Sequence, residues 1–130
     1  MIVLAGRKVF PGKAKGKALV SSDGISFYGG VDPATGKVVE KGHPLEGQSV
    51  KGKILVFPTG KGSTVGSYVL YDMKKRGTAP AAIVNKEIET IIAVGAIISE
   101  IPCVDRIDIK KIKPGQSLTV DGSRGKVTVD

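Results

Sequence analysis

The sequence predicts a compact α/β domain of three layers, rich in strands and holding one central β-α-β unit. Three observations carry that prediction. Residues 54–57, Ile-Leu-Val-Phe, form an apolar run without polar alternation, the pattern of a strand buried on both faces. A glycine loop, a helical periodicity and a second apolar run at 79–84 follow, so a right-handed crossover would set two strands parallel in one sheet. Near the end, residues 118–120 and 127–129 alternate about Asp121-Gly122-Ser123-Arg124-Gly125, which reads as a hairpin.

At 130 residues the chain is most simply a single domain over 1–130, long enough for a real core. Apolar residues make up 41% but aromatics only 5%, with no Trp, so the core must be aliphatic. Eighteen Gly and seven Pro imply frequent turns and short strands rather than a helical bundle.

Taken in order, residues 2–4, 8–10 and 16–22 read as short strands, with a lysine-glycine loop at 11–15. Residues 27–36 are dense in turn formers, including Asp32-Pro33 and Thr35-Gly36. A brief strand at 37–40 and an irregular stretch at 43–50 lead to the central strand, which Pro58 ends. Val65, Tyr68, Val69 and Met73 then recur at helical spacing, and Lys74, Lys75 and Arg76 before Gly77 make a basic last turn with a glycine cap. After the strand at 79–84, Ile88, Ile91 and Ile92 share a face of a short helix over 87–95, and residues 96–98 and 101–104 return to strand character.

Between the central strand and its helix stand Thr59-Gly60-Lys61-Gly62-Ser63. Two glycines let this backbone approach another molecule closely. At a helix start the first N–H groups lack partners and the macrodipole adds positive charge, which suits a carboxylate, a phosphate or an oxyanion. Ser63 or Thr64 would sit there, either as a functional hydroxyl or simply as the helix N-cap.

Two nucleotide loops are excluded. Residues 60–66 are one residue too long for a dinucleotide fingerprint, and residues 47–53 imitate a Walker A loop but place Ile54 where Ser or Thr must bind Mg²⁺.

Twenty Lys and Arg against twelve Asp and Glu give +8, a field that favours anionic substrates or acidic surfaces. Lys13, Lys15 and Lys17 alternate with small residues rather than aromatics, and no nucleic-acid-binding signature is present, so no nucleic-acid partner is expected. Cys103 stands alone in an apolar run and reads as a small core hydrophobe. His43, the one histidine, reads as a turn residue, so no metal site is expected. No apolar run approaches the ~20 residues of a membrane span, which predicts a soluble, cytoplasmic protein without a membrane partner.

Several stretches together resemble a known family. Phe27-Tyr-Gly-Gly-Val-Asp-Pro-Ala-Thr-Gly36, His43-Pro-Leu-Glu-Gly47, Gly52-Lys-Ile-Leu-Val-Phe-Pro58, Gly60-Lys-Gly-Ser63 with Gly66-Ser67-Tyr68, and Asn85 followed by Gly95-Ala-Ile-Ile98 are similar, in order, to the swivel domain or small subunit of the aconitase X family. The likeness spans nearly the whole chain. It implies a swivelling β/β/α fold and a heterodimer with a large aconitase X-like catalytic subunit that carries a 4Fe-4S cluster, with no cofactor bound by this chain. A free-standing chain of this length resembles the archaeal small subunits. The resemblance then implies a hydro-lyase that dehydrates (R)-5-phosphomevalonate to trans-anhydromevalonate 5-phosphate in a mevalonate pathway.

It implies further that Ser63 is the proton acceptor, with Gly60, Lys61, Gly62 and Thr64 about the anionic substrate. Ordinary aconitases carry an arginine two residues after that serine, whereas Val65 stands here, so the ordinary aconitase reaction is not expected. Asn85 and Arg106 are secondary candidates for the same cleft: Asn85 could instead cap the next element, and Arg106 could pair with a neighbouring Asp. The alternatives are the same scaffold acting on another hydroxy acid, such as a hydroxyproline, or a basic anion-binding adaptor without chemistry.

Overall fold

The computed structural model describes residues 1–61 and 63–130. Its pivot is β3 (Lys13–Val20): residues 13–17 pair antiparallel with β7 (Ser117–Asp121), while residues 18–20 pair parallel with β4 (Ile54–Phe57). One strand therefore serves two sheets. Beyond β4 lie β5 (Ala82–Asn85) and β6 (Cys103–Asp105), both parallel, and then β2 (Arg7–Phe10), antiparallel at the edge. Beyond β7 lie β8 (Lys126–Val129) and β1 (Ile2–Ala5), both antiparallel, giving the order β1-β8-β7-β3-β4-β5-β6-β2.

The central strand explains the layering. Its four residues are all fully buried, but they divide between two cores. Leu55 and Phe57 pack with Leu70 and Met73 of α2 (Gly66–Arg76) and with Ile92 and Ala96 of α3 (Thr90–Ser99). Ile54 and Val56 pack on the opposite face with Leu118, Val120 and Val127 from the terminal hairpin. A period-2 strand that is apolar throughout needs cover on both faces, and each large side chain so enclosed contributes about 1.5–3 kcal/mol of burial. The result is sheet, sheet and helices, the β/β/α arrangement expected.

The β-α-β unit and the hairpin stand where the sequence placed them, and Gly77 closes α2 in the left-handed conformation at φ 79. Other expectations are corrected. Lys13–Lys17, read as mostly loop, is the first half of β3: its lysines point outward and Ala14 lies on the second core. Residues 96–98, read as a strand, belong to α3, because Ile92, Gly95, Ala96 and Ser99 bury at helical spacing. The buried face of α2 is Gly66, Ser67, Leu70 and Met73, so Tyr68 points to solvent at 69% exposure. Residues 37–40 make only isolated bridges, Val38 with Val31 and Lys37 with Ser49. α1 (Phe27–Gly30) is a single distorted turn whose Gly29 has φ 79.

Candidate active site

Because β3, β4, β5 and β6 run parallel, the loops that leave them emerge on one edge of the sheet. In α/β sheets that carboxyl edge is where ligands bind. Residues 21–26, 58–61, 63–65, 86–89 and 106–110 all gather there.

Ser63 lies on the loop leaving β4 and is half-buried. Its carbonyl accepts the Gly66 N–H at 2.9 Å, and its Oγ accepts the Val65 N–H at 3.1 Å. The helix begins at Gly66, and Val65, at the cap position, offers no side-chain cap. Ser63 therefore precedes the cap and binds the backbone through a local serine turn. This geometry bears on acidity. A backbone N–H aimed at Oγ stabilises the alkoxide over the alcohol, while the hydroxyl proton stays available for another partner.

Thr64 is exposed, and its carbonyl accepts from Ser67 Oγ at 3.0 Å. Gly60 forms a parallel bridge with Ile25, and a Cβ placed there would stand 2.5 Å from Glu89 Oε1 and against Ile92. Only glycine fits. Lys61 donates its backbone N–H to the Ile25 carbonyl at 3.0 Å, and its Nζ lies 3.0 Å from Glu40 Oε2. That pair is partly exposed and contributes about 0–1 kcal/mol, so it is exchangeable. Gly62 lies outside the described residues.

The secondary candidates separate. Asn85 is fully buried and ties strand ends together: its Nδ2 donates to the Phe57 carbonyl at 3.0 Å and the Val84 carbonyl at 3.3 Å. Its Oδ1 meets no donor among the described residues. The cap of α3 is instead Glu89, which accepts the Ile91 and Ile92 N–H groups at 3.0 and 2.8 Å, so the expectation that Asn85 caps is corrected.

Arg106 lies 3.6 Å from Glu87 rather than beside an Asp, because Asp105 is already engaged by both arms of Arg7, at 2.9 and 2.8 Å. Burial alone would push the Asp105 carboxyl up. The hydrogen bonds from Arg7 and the Ile88 N–H, with the charges of Arg7 and Arg106, outweigh it and hold the group below the usual carboxylate range. Arg106 itself takes a left-handed φ of 56, rare outside glycine.

Arg106 also borders a cleft of about 740 Å³ on the same edge. Ser22, Pro58, Lys86, Glu87, Asp108 and Lys110 share its wall; Ser63 does not, and connects to it along the chain through Pro58.

His43 is a turn residue, as expected. Its Nδ1 accepts the Leu45 N–H at 3.0 Å and its Nε2 faces the Gly24 carbonyl at 3.1 Å. Sequence reasoning missed Glu40 and Glu89. The signal for Glu89 was an acidic residue two positions before the apolar run that opens at Ile91, and Glu40 left none, since its partner is 21 positions away.

These features define an aconitase X swivel domain. The family model of that description matches residues 3–129, and the chain belongs to the family. It is 58% identical to the phosphomevalonate dehydratase small subunit of Methanocella arvoryzae, covering 94% of this chain and 95% of that one. It is 57% identical to the protein of the same name from Thermococcus sibiricus, over 98% of each. Among solved structures it is similar to Thermococcus kodakaraensis aconitase X in its holo-form, with a TM-score of 0.98 at 53% identity and coverage of 100% of this chain and 99% of that one.

Proposed function

We propose that this chain is the small subunit of a phosphomevalonate dehydratase and supplies Ser63 as the proton acceptor. Supporting the reaction are relatives of that name at near-full coverage and more than half identity. Supporting the residue is one geometric observation: Ser63 is half-buried on the carboxyl edge of the sheet, and its Oγ accepts the Val65 N–H at 3.1 Å.

Dehydration removes a proton from the carbon beside the substrate's carboxylate and a hydroxide from the next carbon. A serine hydroxyl is a very weak base, so its alkoxide must be stabilised. A helix dipole contributes at most ~2 kcal/mol, about one and a half pKa units. The directed Val65 N–H adds a charge-assisted hydrogen bond once the alkoxide forms. Lys61, five residues before α2 begins, adds an ammonium if its exposed pair with Glu40 opens. All of these strengthen when water is excluded, so the serine becomes basic only when a partner subunit closes the edge over bound substrate.

Departure of the hydroxide falls to that partner. The family implies an iron-sulfur cluster, and this chain's residues do not fit one. Cys103 is enclosed in the core with its thiol pushed up by burial, and among the described residues no three His, Cys, Asp or Glu side chains gather. This supports the reading that the large subunit carries the cluster.

The test is reconstitution. This chain mixed with its anaerobically prepared large subunit should convert phosphomevalonate to the anhydro product, and neither chain alone should. A complex that forms but leaves phosphomevalonate untouched while dehydrating another hydroxy acid would refute the substrate assignment.

A further inference from the structure

We infer that the cleft lined by Lys86, Arg106 and Lys110 is the subsite for a phosphate monoester, the far end of the substrate whose near end meets Ser63. This rests on the function proposed above. Three cations face two carboxylates, Glu87 and Asp108, so the cleft keeps an excess positive charge.

The two leading cations are fixed at their bases. Arg106 donates its backbone N–H to the Lys86 carbonyl at 3.0 Å, and the N–H groups of Lys86 and Glu87 both donate to the Pro58 carbonyl at 3.1 Å. The cleft is thereby tied to the first residue of the loop that carries Ser63. Arg106 holds its left-handed φ of 56 at this junction, a backbone cost of the kind that persists where it aims a side chain at a ligand.

The charge already present on Arg106 does not block the role. Glu87 lies 3.6 Å away with both side chains more than half exposed, a weak pair that a dianion can displace. A guanidinium offers two parallel N–H donors and an ammonium a point charge, the pair of groups that suits a phosphate monoester. Substrate geometry agrees. The carboxylate adjoins the carbon that loses its proton and must lie beside Ser63, whereas the phosphate is three carbons beyond it and needs its own site at a remove.

The experiment uses the reconstituted complex with Lys86→Gln, and separately Arg106→Asn, a replacement that tolerates the left-handed backbone. Each variant should raise KM for phosphomevalonate about 10- to 100-fold with a much smaller change in kcat, and should weaken inhibition by inorganic phosphate in parallel. Because Lys86 is exposed, its variant folds and serves if Arg106→Asn does not. An unchanged KM, or a defect confined to affinity for the large subunit, would overturn the assignment. If the wild-type complex proves inactive on phosphomevalonate, the function proposed above fails by itself. Titration of the complex with inorganic phosphate then decides the cleft: backbone amide shifts at Lys86 and Arg106 support it, and their absence refutes it.

Discussion

The carboxylate of Glu89 occupies the space that any side chain on Gly60 would need. Its Oε1 would lie 2.5 Å from a Cβ there, while the same carboxylate caps α3 through the Ile91 and Ile92 N–H groups. Gly60, three residues before Ser63, is thus seated on a helix cap.

Gly60→Ala should therefore displace the loop, the cap or both. Expected outcomes are at least a 10-fold fall in kcat of the reconstituted complex and a loss of about 1–3 kcal/mol in stability, from overpacking and a disturbed cap. Denaturant unfolding of the single chain measures the second effect separately from the first. Wild-type values for both would mean that the loop accommodates a side chain freely.

Asp105 makes the fold acid-sensitive. Its carboxyl is held below the ordinary value, so its stabilisation is complete above the unfolded-state pKa of about 3.9 and is lost as pH falls through the lower folded value. Asp105→Asn should cost about 1–3 kcal/mol at neutral pH through weakened bonds to Arg7 and the Ile88 N–H. The variant should also show a flatter decline below pH 4 than wild type. Parallel pH profiles of the two proteins would contradict this assignment.

Asn85 supports the site from beneath the strand ends. Asn85→Asp would set a buried carboxylate against the Phe57 and Val84 carbonyls, costing about 3 kcal/mol or more at neutral pH. Acidification should restore part of the loss, since a protonated carboxyl can again donate to Phe57. Asn85→Leu should cost less, about 1 kcal/mol, because it also removes an acceptor that meets no donor among the described residues. Melting temperatures across pH, with Asp less stable than Leu only when ionised, check the order.

What the sequence made legible follows from which signals are local. The all-apolar run 54–57 has the pattern of a doubly covered strand, and the alternation about residues 121–125 that of a hairpin; each is local, and each formed. Residues 96–98 misled because an Ala-Ile-Ile triplet looks like a strand until Ser99 and Ile92 reveal the helical stripe. Tyr68 misled because it stands at helical spacing from Val65, whereas the stripe that buries runs through Gly66, Ser67, Leu70 and Met73 and leaves both residues exposed.

At the site, the position of Ser63 between strand and helix was legible from glycines and β-branched residues alone. Its exact relation to the helix was not: whether a serine caps or precedes depends on which N–H it meets, and Val65 met it first. The pairing of Lys61 with Glu40, the capture of Asp105 by Arg7 from 98 positions away, and the gathering of Lys86 with Arg106 are products of topology that no local pattern records.

The proposed chemistry turns on one hydroxyl. In the reconstituted complex, Ser63→Ala should lower kcat for phosphomevalonate dehydration by about 10²–10⁴-fold, with KM and subunit affinity little changed. Turnover within a few-fold of wild type would contradict it and remove Ser63 from the chemistry.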